Sequence, residues 1–249
     1  MRGHLKNSWM VLVVLLTCAA AGCVRADPDL AFFRGKTVTI IVPNGPGGMD
    51  TYARAITPYL QKQLPGSKVV VENVIGDSSI TGRNQVYEAL PDGLTLGFAT
   101  SAGTLLAQWS GQPNVRYKTA EFSFVGRVNA EAHIMVVSPK CGFANLSDII
   151  HAGSVRMGFA GRASDDFYVA TVTAGILGYR VDARTNYLSS LDAGLACVKG
   201  EVDAILFADA SVHPLIDTRT VLPVAVFSDA RLPALPDVPT VFESLPADR

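Results

Sequence analysis

An α/β fold is what this sequence predicts, on three observations. Short β-branched and apolar runs recur along the chain, stretches with helical spacing separate them, and Gly- and Pro-containing turns stand at the junctions. Strands are expected at 37–42, 68–72, 94–99, 123–128, 133–138, 155–159, 202–207 and 221–227. Most of these are continuous apolar runs, as strands buried on both faces of a parallel sheet are. Helices are expected between them at 51–64, 81–89, 103–109, 146–151, 166–177, 191–199 and 210–216, with Pro58 bending the first or opening its second half. A composition break at 127–131 and the proline-rich stretch 228–239 are expected to carry the chain between two lobes.

The composition sets limits on function. Of the 249 residues, 49% are hydrophobic and 17% charged, which excludes disorder as the main state. Lys and Arg total 21 against 22 Asp and Glu, so no basic excess exists to neutralise a phosphate backbone, and no nucleic-acid partner is expected. Gly and Pro are spread without a short period, against repeats or a low-complexity linker.

Residues 1–26 have the layout of a secretory signal. Arg2, His4 and Lys6 precede an apolar run from Trp9 to Ala21, shorter than the roughly 20 residues a membrane span needs. Two processing sites compete. Ala20-Ala21-Gly22-Cys23 resembles a lipobox with an unusual Ala at its first position, which would leave Cys23 lipidated, whereas Val24-Arg25-Ala26 suits ordinary cleavage before Asp27. Either route exports the protein, and cleavage after Ala26 removes three bases and no acid, leaving a mildly acidic mature surface. Cys18 lies in the signal, so Cys141 and Cys197 remain as a pair predicted to form a disulfide, with two unpaired buried thiols as the alternative.

The most informative local stretch is Val42-Pro43-Asn44-Gly45-Pro46-Gly47-Gly48-Met49-Asp50, a turn directly after a strand and before a helix. Glycines let the backbone approach a ligand, and the first N–H groups of a helix carry partial positive charge, so the turn suits an anion. It equally suits a tight turn with Asp50 as N-cap. Corners of the same kind stand at Thr100-Ser101-Ala102-Gly103, Gly161-Arg162-Ala163-Ser164-Asp165, Tyr187-Leu188-Ser189-Ser190 and Phe207-Ala208-Asp209. Because open α/β sheets bind ligands outside the carboxyl ends of their strands, these corners are expected to converge on one cleft.

Two nucleotide motifs fail. Gly35-Lys36-Thr37 ends like a P-loop, but Leu30 stands where the first glycine belongs and a strand follows; the run from Gly45 has Asp50 in place of the last glycine of a dinucleotide fingerprint. No nucleophile elbow occurs, His4, His133, His151 and His213 sit apart, and no metal-ligand spacing appears, so neither an enzyme, a cofactor nor a metal is expected.

With these residues in place, the chain resembles the substrate-binding proteins of bacterial tripartite tricarboxylate transporters, from about Gly35 to Glu243. The resemblance rests on Lys36-Thr37-Val38-Thr39-Ile40-Ile41-Val42-Pro43 with the Gly-rich loop and Asp50, on Val70-Val71-Glu72-Asn73, on Pro91-Asp92-Gly93-Leu94-Thr95-Leu96 and on Leu235-Pro236-Asp237-Val238-Pro239-Thr240-Val241. It implies a two-lobed, type II periplasmic binding protein-like fold, with lobe 1 at 27–129 plus 229–249 and lobe 2 at 130–228. It also implies a monomeric receptor, periplasmic or lipid-anchored outside the cytoplasm, that closes on a small carboxylate and presents it to membrane transporter subunits. The ligand residues carried over are Asn44, Gly45, Gly47, Gly48, Asp50, Thr100 and Ser101 from one lobe, and Gly161, Arg162, Ala163, Ser164, Ser189 and Asp209 from the other.

Three departures stand out. Gly47-Gly48-Met49 has two glycines where the family has three, and Val74-Ile75-Gly76-Asp77-Ser78-Ser79 replaces a Pro-Gly-Ala-Gly-Gly stretch with one that adds an acid. The family also continues beyond the proline-rich return, so the first lobe is expected to be incomplete. These departures motivate an alternative, a sensory protein that keeps the lobes without a transport ligand. A periplasmic hydrolase lacks an identifiable nucleophile and base.

Overall fold

The computed structural model describes residues 28–244. The expected signal segment, with Cys23, lies outside them. After a short opening helix α1 (Pro28–Phe32), strands β1 (Thr37–Val42), β2 (Lys68–Asn73) and β3 (Thr95–Gly97) form a parallel three-stranded sheet in the order β2-β1-β3. Helices α2 (Gly48–Gln63), α3 (Ile80–Glu88) and α4 (Ser101–Trp109) each follow one of these strands. Val38, Ile40 and Val42 alternate inward along β1 and pack with Ala53 of α2 and Val69 of β2. Helix α2 runs through Pro58, which sits exposed on its surface.

The second lobe is built from β4 (His133–Val137), α5 (Leu146–Ala152), β5 (Ser154–Gly158), α6 (Asp165–Leu177), β6 (Arg180–Arg184), α7 (Ser190–Lys199), β7 (Ala204–Ala208), α8 (Asp209–Asp217) and β8 (Leu222–Phe227). Its sheet has the order β6-β5-β7-β4-β8. Period-2 alternation divides the core between its faces. Met135 and Val137 pack with Leu146, Ile149 and Ala170 on one side, whereas Ile134 and Val136 pack with Ala193, Cys197 and Val212 on the other.

Four expectations are corrected here. The second sheet is mixed, since β4 runs antiparallel to both β7 and β8; it is entered by a crossing from the other lobe, not by a right-handed strand-helix-strand unit that would fix its direction. Strand β6 was not expected, because its alternating Arg180, Asp182 and Arg184 give no apolar run; as an edge strand it needs none, and the charges blunt the edge. No strand forms at 123–128, where Phe124 and Val125 are 70% and 87% exposed: the run crosses between lobes with no neighbour to pair with. The stretch from 229 was expected to rejoin the first lobe, yet as far as residue 244 it lies against the second. Val226 N–H donates to the Pro239 carbonyl at 2.9 Å, Val241 N–H donates to the Val226 carbonyl at 2.8 Å, and Leu232, Leu235 and Val241 join the second-lobe core.

Nor is the predicted disulfide formed. Cys141 and Cys197 are both free thiols. Cys197 packs as a small apolar side chain on the buried face of α7, and burial pushes its thiol up to about 12; Cys141 accepts from the Phe143 N–H at 3.4 Å in the turn after β4. Among the described residues no helix is long and apolar enough to cross a membrane.

Candidate ligand-binding site

The strand-exit corners of both lobes meet on one interlobe surface. On the first lobe, the loop 44–48 leaves β1 and abuts the start of α7. Gly45 N–H donates to the Leu188 carbonyl at 3.2 Å, and a Cβ on Gly47 would stand 2.6 Å from Ser190 Oγ. Gly48 lies against Ser211 of α8 in the same way, so these glycines give the two backbones their close approach. The Asn44 side chain accepts from the Ser79 hydroxyl, and its carbonyl accepts from Asn73 Nδ2 at 2.8 Å. Asp50 faces into its own lobe: it accepts from Arg54 Nε and from Asn73 Nδ2, both at 2.9 Å, which ties α2 to β2. The Arg54 bond, followed by that of Asn73, outweighs burial and holds its carboxyl below the usual range.

Opposite, the corner 161–164 runs into α6. Ser164 caps that helix, accepting from the Phe167 N–H at 3.2 Å, and Ala163 is fully buried. Gly161 has φ +145°, a conformation that disfavours any side chain, and a Cβ there would collide with Ser78 of the first lobe. Arg162 N–H donates to Ser78 Oγ at 3.2 Å. The Arg162 side chain itself points elsewhere, over the Phe167 ring and into an 860 Å³ surface groove along β5 and β6, away from the lobe junction. Ser189 caps α7, accepting from Asp192 N–H at 3.3 Å; Asp209 opens α8 and pairs with His213 Nδ1 at 2.8 Å; Ser101 is exposed at the start of α4.

Between these corners lies a charged cluster that spacing did not disclose. The Thr100 hydroxyl donates across the junction to Asp165 Oδ1 at 3.2 Å, and His133 Nε2 lies 3.6 Å from Asp165 and 3.1 Å from Asp166. Arg83 of α3, only 3% exposed, donates from Nη1 to the carbonyls of Gly103 at 3.4 Å and Ala163 at 3.2 Å, so it also spans the junction, while its Nε has no acceptor. Burial disfavours the His133 cation, but the two carboxylates overcome this and raise it to about 10. Burial, then the charge of Asp165, raises Asp166 to about 7. His133, Asp165 and Asp166 are also the one group among the described residues with ligand atoms close enough to hold a metal ion, within 4.8 Å of one another; the protonated imidazole and nearby guanidinium already supply the balancing charge. A sequence signal for Arg83 exists: it sits three residues after the core Ile80, on the inward face of a helix.

The crossing segment carries one more contact between the lobes. Glu131 Oε2 accepts from Tyr52 OH of α2 at 3.3 Å and from Ala210 N–H of α8 at 2.8 Å.

Residues 52–246 match the model of the tripartite tricarboxylate transporter family receptor. A protein of Agrobacterium vitis, named for the TAR-I ttuE-ttuC' intergenic region, is 31% identical over 245 residues, covering 93% of this chain and 67% of its own. BugT of Bordetella pertussis is 28% identical over 246 residues, covering 95% and 74%. Among solved structures, the periplasmic binding protein BugD superposes with a TM-score of 0.78 at 25% identity, over 85% of this chain and 72% of that one. MatC from Rhodopseudomonas palustris, with bound malate, superposes with a TM-score of 0.76 at 25% identity, over 85% and 73%. Both share the two-lobed architecture described above.

Proposed function

Because the chain belongs to the tripartite tricarboxylate transporter family of receptors, which are periplasmic binding proteins and not enzymes, we propose that it captures a small organic acid between its lobes and presents the closed form to membrane transporter subunits. The observation that carries this reading is the meeting of strand-exit corners from both sheets: loop 44–48 with 188–190, Thr100 with Asp165, and Ser78 with Arg162. An acid held there faces backbone N–H groups and helix N-termini, which replace part of its lost hydration. Contacts to both lobes exist only when the lobes are together, so binding free energy favours closure; a micromolar Kd corresponds to about −8 kcal/mol, enough to move a two-state equilibrium decisively. The ligand contacts come from Asn44, Gly45, Gly47 and Gly48 with Thr100 and Ser101, met by the 161–164 backbone, Ser189 and Asp209. The protein acts as a monomer, exported by residues 1–26 and released or anchored through Cys23.

Titration calorimetry of the mature chain against malate, succinate, citrate and a neutral amide tests this. One-site binding of an acid, with none of the amide, is expected. Absence of heat with every acid would end the receptor reading. A second reading has its own support, because Ser78 and Asp165 already satisfy groups across the junction: a sensory protein that closes without a transport ligand. Pull-down of a sensor subunit in place of transporter subunits distinguishes it.

A further inference from the structure

We propose that Ser78 is a specificity-determining residue that sets the length of acid the cleft accepts, an inference that rests on the receptor reading above. Asp77, Ser78 and Ser79 are three successive non-glycine residues with positive φ, at 50°, 56° and 76°. Such backbone persists only where its surroundings hold it. Here it is held on both flanks: Asp77 accepts from Asn114 Nδ2 at 2.7 Å, and the Ser79 hydroxyl donates to Asn44 Oδ1.

The turn so fixed projects Ser78 into the opposite lobe. Its Oγ takes the Arg162 N–H at 3.2 Å, and its Cα would stand 2.7 Å from a Cβ on Gly161. Contacts therefore run without a break from Asn44 through Ser79 and Ser78 to Arg162, joining the first ligand loop to the opposite corner. A dicarboxylate that reaches from loop 44–48 toward residue 162 meets the Ser78 side chain where its second carboxylate would lie. The amide that carboxylate needs already has an acceptor. An acid long enough to reach residue 162 must displace Ser78, whereas a shorter one need not.

Ser78→Gly removes the obstruction, frees the Arg162 N–H and suits the positive φ, so the variant should fold at least as well as the parent. The experiment is calorimetry of the full mature chain and of Ser78→Gly, each with malate and with adipate. Wild type is expected to prefer malate by about tenfold or more, and the variant to reduce that preference at least about fivefold, mainly by gaining adipate affinity. A malate-to-adipate ratio unchanged within about twofold, or a wild type that already prefers adipate, overturns the role of Ser78 while leaving the receptor reading intact. Binding of neither acid by either protein overturns the receptor reading and this inference with it.

Discussion

Asp166 shows how one side chain links the interlobe junction to pH. Its carboxyl is raised from 3.8 to about 7 by burial and by Asp165 beside it. Between those values the folded chain binds more protons than the unfolded chain, so this group makes stability fall as pH rises from about 4 to about 7. His133 acts in the same sense over a higher range: its contribution is complete below 6.5 and is lost as pH rises through about 10. Asp166→Asn keeps an acceptor for His133 and removes the like charge. Thermal melts of the variant should therefore lose the downward slope between pH 4 and 7, and the variant should gain on wild type at pH 7.5 relative to pH 5. Parallel pH profiles for the two proteins would contradict this assignment.

Helix termini are where local sequence acts most directly. Asn145 reads as part of an Asn-Leu-Ser sequon, but in the fold it is the N-cap of α5: its side chain accepts from Asp148 N–H at 3.0 Å, and Asp148 Oδ2 accepts in return from Asn145 N–H at 3.2 Å. This reciprocal capping box satisfies two donors that the first turn leaves without partners. Asn145→Ala is expected to cost about 1 kcal/mol in urea denaturation while leaving acid affinity unchanged, because α5 stands away from the lobe junction. A loss of affinity alongside the loss of stability would show that α5 is coupled to the site. Residues 37–42 and 146–151 were legible as elements because periodicity and capping residues agree there, whereas β6 was not, because an edge strand obeys charge patterning in place of hydrophobic continuity.

Closure of the proposed receptor is a property of the whole molecule, and Glu131 is placed to bias it from the crossing segment. By accepting from Tyr52 and from Ala210 it stabilises the arrangement in which α2 and α8 are together. Glu131→Ala should shift the population toward open forms, raising the radius of gyration in solution scattering without ligand. Since apparent affinity scales with the competent fraction, acid binding should weaken several-fold although Glu131 is not expected to touch the ligand. Saturating acid should restore the compact form. An unchanged radius together with unchanged affinity would place the closure bias elsewhere.

The sequence by itself determined the α/β class, most strands and helices, and where the strand-exit corners stand, because these follow from hydrophobic period, turn residues and N-caps within a few residues of one another. Tertiary structure alone decided which groups oppose one another across the junction. Asp50 turned into its own lobe, and the Arg162 side chain turned outward while its amide turned in. Arg83 met the Ala163 carbonyl 80 residues on, Ser78 met the Arg162 amide 84 residues on, and His133 came against Asp165 and Asp166. No local pattern encodes such encounters, since electrostatic and steric complementarity between lobes depends on how the two sheets are set against each other, and that arrangement exists only once the chain has crossed between them.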